Sequence, residues 1–243
     1  MNIYQDEINS LNENYKIWLS NNIEPMVEFE TQWMKDNEYT LNNHGLRCDN
    51  FYKIENKKDH ILFAGCEYSL AISHEVKFSW AYMLYSYLLG SVGTYRNISY
   101  PGANPEKIIA NLIKYVDAYG APYKMFVLMP EIIRDYGYWP DGKVYKPKMY
   151  RQLKGNGGVE HNDVAIPNDV PLNLLLLRYV RSIRILESYC SALGIDLIWT
   201  TWDRDSSEIL SQMDFKYFFP AQINPDDQND IYNHFVKQIK ENR

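Results

Sequence analysis

No stretch of this chain approaches the roughly 20 consecutive apolar residues that a membrane-spanning helix needs. Cysteine is scarce. Cys48, Cys66 and Cys190 are odd in number, far apart and form no C-x-x-C pair, which argues against a disulfide framework and a zinc ribbon. Positive charge is not in excess, and a net charge of -6 gives no general attraction to nucleic acid or to an anionic membrane. Neither is therefore expected as a partner. The opening MNIYQDEINSLNENYK is polar and mixed in charge, unlike a signal peptide, and no internal repeat or low-complexity segment is present. The expected setting is reducing: a cytoplasm, or a virion assembled in one.

What the chain does have is apolar and aromatic content. Its 243 residues are 46% hydrophobic and 15% aromatic, enough for one large core or two small ones. Leu11, Tyr15, Trp18 and Leu19 recur at helical spacing, Pro25 interrupts, and Met26, Phe29, Trp33 and Met34 resume. This pattern predicts a helical N-terminal arm over 1–39. The turn-rich TLNNHGLRCDNF (Thr40–Phe51) leads into a single domain over 40–243.

In that domain strand and helix patterns alternate. ILFAG (Ile61–Gly65), TYRNIS (Thr94–Ser99), MFVLMP (Met125–Pro130) and IDLIWTT (Ile195–Thr201) read as strands, most of them apolar on both faces. Helices are predicted over Phe78–Leu89, from Asn104-Pro105 to Gly120, over Pro171–Leu193, around Ser207–Met213 and over Asn229–Lys240, with a possible last strand at Lys216–Phe219. Repeated strand–helix units of this kind predict a three-layer α/β/α sandwich with a parallel sheet. The interval 131–169 breaks the rhythm. It is aperiodic, carries Trp139, several tyrosines and Lys143, Lys146, Lys148, Arg151 and Lys154, and reads as one long loop. Because it leaves the carboxyl end of a parallel strand, it belongs to the edge where such sheets bind ligands.

Four segments together resemble the SGNH (GDSL-type) hydrolase family, in the versions common in bacteriophage and marine microbial genomes. ILFAGCEYSLA is similar to that family's first strand and nucleophile turn, G-[DC]-S-x-T-x-G. LNNHGLRCDNF is similar to the N-x-x-G-[FL]-R segment before it, and NISYPGANPEKIIANL to the second block. FVLMPEIIR is similar to the third-strand end in its P-E-x-x-R form. The resemblance covers about 40–243 and implies the SGNH-hydrolase, flavodoxin-like form of the sandwich. It also implies a catalytic set at Glu67, Ser69, Asp227 and Asp230, and a pocket formed by Gly65, Cys66, Gly102, Glu131 and Arg134.

At those positions the sequence departs from the chemistry the family needs, a serine activated by a histidine that an aspartate orients. Glu67 stands at the serine position, Ser69 falls on the threonine position, and Ala71 replaces the glycine that follows. The asparagine of the third block is missing. Asp227-Gln228-Asn229-Asp230 matches D-x-x-H with an aspartate in place of the base, and His234 lies inside the last helix.

Two readings of Glu67 stay open: a helix N-terminal cap, or one of several strand-end carboxylates (with Glu131, Asp203 or Asp205, and Asp227 or Asp230) gathered around Mg²⁺ or Ca²⁺. Cys66 reads as a small buried residue; His74 and His161 are the histidines that can come near it. Arg178, Arg181 and Arg184 read as a solvated helical face. Three functions follow. The first is a non-catalytic SGNH-type protein binding a glycan or a protein partner, plausibly viral and without a cofactor. The second is an esterase or carbohydrate deacetylase with a rearranged site. The third is a metal-dependent phosphoester hydrolase. The apolar arm and the aromatic loop suggest self-association or a place in a larger assembly.

Overall fold

The structure is a computed structural model. It describes residues 41, 42, 44, 46–54, 56–71, 74–89, 94–100, 103–132, 134, 137–138, 144–145, 152–154, 158–160 and 172–241. The expected arm at 1–39, much of 131–169, Gly102 and His161 lie outside these residues, as do the segments expected at an assembly contact.

Strand β1 (Ile61–Gly65) runs into the short α1 (Glu67–Leu70) and then α2 (Trp80–Leu89). β2 (Arg96–Asn97), α3 (Pro105–Tyr119) and β3 (Lys124–Met129) follow. Next come two antiparallel pairs, β4 (Gly137–Tyr138) with β5 (Val144–Tyr145) and β6 (Gln152–Lys154) with β7 (Gly158–Glu160). α4 (Leu172–Ala192), β8 (Asp196–Thr201), α5 (Arg204–Leu210) and α6 (Gln228–Glu241) complete the described chain. The two hairpins are absent from the sequence reading of 131–169. Each strand is too short to show a period, although Pro140-Asp141-Gly142 and Gly155-Asn156-Gly157 are turn-forming sequences between them.

The main sheet is parallel, in the order β2-β1-β3-β8. Phe218 bridges Trp199 in parallel at the far side, marking the expected last strand. Side chains alternate between the two faces, as the period of a strand requires. Leu62, Ala64, Met125, Val127, Leu197 and Trp199 face a core shared with α3 and α4. Ile61, Phe63, Phe126, Leu128 and Ile198 face a second core shared with α2 and α6. The molecule is thus an α/β sandwich with helices on both sides of its sheet.

Local chemistry accounts for the helix positions. Asn104 caps α3, its side chain accepting from the Lys107 N–H, with Pro105 in the first turn; Gly120 ends it at φ 104°. On α4 the buried stripe is Leu175, Tyr179, Ile183, Leu186 and Cys190. Arg178 is not simply solvated: it reaches Glu106 of α3 at 3.3 Å, while Arg184 pairs with Glu187.

Chain order and strand order together place the ligand edge. From β1 the chain crosses to β2 on one side, then returns past β1 to β3 on the other. In open α/β sheets the crevice at such a reversal, outside the carboxyl ends, is where ligands bind. Gly65 lies opposite Leu128, Leu128 opposite Thr200 and Met129 opposite Thr201, so the central strands end almost level. Cys66-Glu67, Pro130-Glu131 and Trp202-Asp203 therefore emerge side by side.

Candidate functional site

The site begins at Gly65. A Cβ there would lie 2.6 Å from the Leu128 carbonyl and would collide with the Ser69 hydroxyl, so only glycine allows the chain to turn this close to β3. Ser69 is packed beneath the turn, fully buried, and its Oγ has no hydrogen-bond partner among the described residues. Cys66 is also fully buried, and burial, reinforced by the Glu67 charge, pushes its thiol well above the ordinary range. It is a neutral packing residue, not a thiolate. His74 is exposed, and its backbone carbonyl accepts a hydrogen bond from Arg47.

Glu67 opens α1 with its carboxylate engaged by Arg134. The Nη1 of Arg134 donates to Oε2 and Nη2 to Oε1, both at 2.7 Å, a two-pronged ion pair. Arg134 Nε donates to Glu131 Oε1 at 2.9 Å. One buried guanidinium thus joins the carboxylates that follow β1 and β3. Burial opposes the Arg134 charge, but the Glu67 and Glu131 carboxylates around it more than reverse that and hold its pKa above the ordinary value. Glu131 moves upward: burial outweighs the attraction of Arg134 and disfavours its charged form. Its Oε2 has no hydrogen-bond partner among the described residues.

The loop carrying Glu131 and Arg134 is held from several sides. Tyr179 Oη and Thr201 Oγ1 both donate to the Pro130 carbonyl, at 3.0 and 3.2 Å, and the Ile132 N–H donates to Ser206 Oγ at 2.9 Å. Trp202, just past β8, places its ring 5.8 Å from the guanidinium carbon of Arg134, and Tyr68 meets Trp202 edge-on at 4.9 Å. The edge therefore combines an ion-paired carboxylate with two half-buried aromatic rings.

At the other end of α1 the backbone is exceptional. Ala71, its C-cap, adopts a left-handed conformation with φ 56°, which explains why a glycine suits that place in the resembled motif. Four residues cannot satisfy their own terminal carbonyls; distant side chains do it for them. Gln228 Nε2 donates to the Tyr68 carbonyl at 3.3 Å and Asn97 Nδ2 to that of Ser69 at 2.8 Å. Arg47 Nη1 donates to the carbonyls of Leu70 at 3.3 Å and Ala71 at 2.6 Å, and Nη2 to that of His74. Asn42 folds the preceding segment by accepting from the His44 and Leu46 N–H groups.

The structure brings Gly65, Cys66, Glu67, Ser69, Glu131 and Arg134 together. Asp227 accepts from the Asn229 N–H at 2.9 Å and Asp230 from the Asn224 N–H at 2.7 Å, bonds that shape their own loop. Asp227 thereby caps the start of α6, whereas Asp230, inside that helix, ties the preceding loop back to it. The residue between them, Gln228, is the one that reaches α1. Asp203 likewise caps α5 through the Ser206 N–H, and no group of three or more His, Cys, Asp or Glu side chains is placed to hold a metal ion among the described residues. The carboxylate edge finds its cation in Arg134 instead. Sequence reading missed Arg47, Tyr68, Gln228 and Trp202; only Arg47, inside the N-x-x-G-[FL]-R segment, carried a signal. No known family model matches the chain, and no curated protein matches it.

Proposed function

We propose that this chain is a non-catalytic carbohydrate-binding protein on a scaffold of SGNH-hydrolase type, and that the sugar sits at the edge formed by Glu67, Arg134, Tyr68 and Trp202. The observation that carries the reading is the condition of the turn after β1. Its position for a nucleophile holds Glu67, whose two oxygens both receive Arg134, and its serine hydroxyl, on Ser69, is buried beneath Gly65. A buried hydroxyl with no hydrogen-bond partner among the described residues and a carboxylate locked to a guanidinium do not make an acyl-transfer centre. Aromatic faces with a few fixed polar groups are, in contrast, the ordinary makeup of a small-molecule site.

Titration calorimetry against a panel of oligosaccharides tests this. Saturable binding that is lost in Trp202→Ala, with the fold retained by circular dichroism, supports the proposal. Saturable turnover of a chromogenic acetate ester by the wild-type protein overturns it.

A further inference from the structure

We propose that Arg134 is a carboxylate receptor that Glu67 occupies in the free protein, and that a carboxylate-bearing sugar takes the place of Glu67 when it binds. The proposal rests on the carbohydrate reading above and specifies its ligand as a hexuronate.

The argument starts from the unequal ways in which Arg134 is held. Its Nε is fixed from within by Glu131, whose side chain is 10% exposed. Its two Nη groups form a parallel fork toward Glu67, whose side chain is 23% exposed. The Arg134 side chain is 4% exposed. Arg134 is thus the most buried of the three, Glu131 the next and Glu67 the most exposed, so Glu67 is the partner that meets solvent across the fork. A guanidinium does not shed its charge at any ordinary pH, so this fork always requires an anion. Its planar geometry fits any carboxylate, not only the one attached to the chain.

The surroundings suit a sugar bearing that carboxylate. Trp202 supplies a ring face beside the fork, and Tyr68 packs edge-on against Trp202. Glu131 Oε2 and Trp202 Nε1 are buried polar atoms with no hydrogen-bond partner among the described residues, so the site holds more hydrogen-bonding capacity than its own side chains use. Exchange preserves charge at the fork, one carboxylate leaving as another enters, and no bond is made or broken. The tethered Glu67 competes at a high effective concentration, millimolar or above. A small free carboxylate therefore fails against it, whereas a ligand with added aromatic contacts succeeds.

The test uses full-length wild type, Glu67→Ala and, in case the first variant folds poorly, Glu67→Ser. Thermal melting is followed in sodium acetate and in sodium chloride of equal ionic strength. Acetate should raise the melting temperature of a Glu67 variant saturably, chloride should not, and the wild type should respond alike to both. Calorimetry with an oligohexuronate and its methyl ester follows. The free acid should bind the wild type, bind Glu67→Ala about tenfold tighter or more, and lose its binding on esterification. No acetate-specific response in either Glu67 variant overturns the receptor, even if neutral sugars bind. An acetate response with no sugar binding to any form supports the receptor and overturns the carbohydrate reading instead.

Discussion

The two ends of α1 differ in what holds them. At its start, Glu67 is tied by one charged group to a second carboxylate, in a cluster that touches solvent on one side. At its end, four successive carbonyls are received by three side chains from distant parts of the chain, around a left-handed Ala71. The second arrangement preserves the path of the backbone, and the first determines what the turn offers to a ligand. The side chains that receive the carboxyl end come from elsewhere in the chain and do not include the residue at the tip.

The largest effect should come from breaking the charged end. Arg134→Ala removes the cation shared by Glu67 and the buried Glu131, and should lower the unfolding free energy by about 3–5 kcal/mol in urea titration. Arg47→Ala attacks the other end, leaving the carbonyls of Leu70 and Ala71 without their charged donor. A loss of about 2–3 kcal/mol is expected by the same measurement. Gln228→Ala removes a donor from the Tyr68 carbonyl and an acceptor from the Trp80 N–H. It should cost about 1–2 kcal/mol and shift the amide resonances of both residues. The smallest effect is a gain: Ala71→Gly relieves the left-handed strain and should stabilise by about 0.5–1 kcal/mol after the greater unfolded-state entropy of glycine is counted. If Arg47→Ala proved harmless while Ala71→Gly destabilised, the carboxyl end would not be what maintains the turn.

Much of the fold was legible because buried parallel strands and capped helices leave local marks. The apolar runs at Ile61–Gly65 and Met125–Pro130 and the Asn104-Pro105 start of α3 needed no distant partner to be read. The site was legible only in part. Gly65, Glu67, Glu131 and Arg134 follow strand ends that the order of elements brings to one edge, but the pairing of Arg134 with both carboxylates depends on side-chain directions that no spacing encodes. Gln228 illustrates the limit: it lies 160 positions from Tyr68, and only the docking of α6 against α2 joins them. Asp227 shows the opposite limit, since a carboxylate just before a helix looks the same in sequence whether it performs chemistry or caps an N–H.

The most direct test of the account is the hydrolysis of a chromogenic acetate ester by wild type and Glu67→Gln, measured side by side over a range of substrate concentrations. The account predicts that both rates stay at the level of an unrelated protein and rise linearly with substrate, because the turn holds an ion pair and no activated nucleophile. Saturable turnover by the wild type that disappears in Glu67→Gln would contradict it.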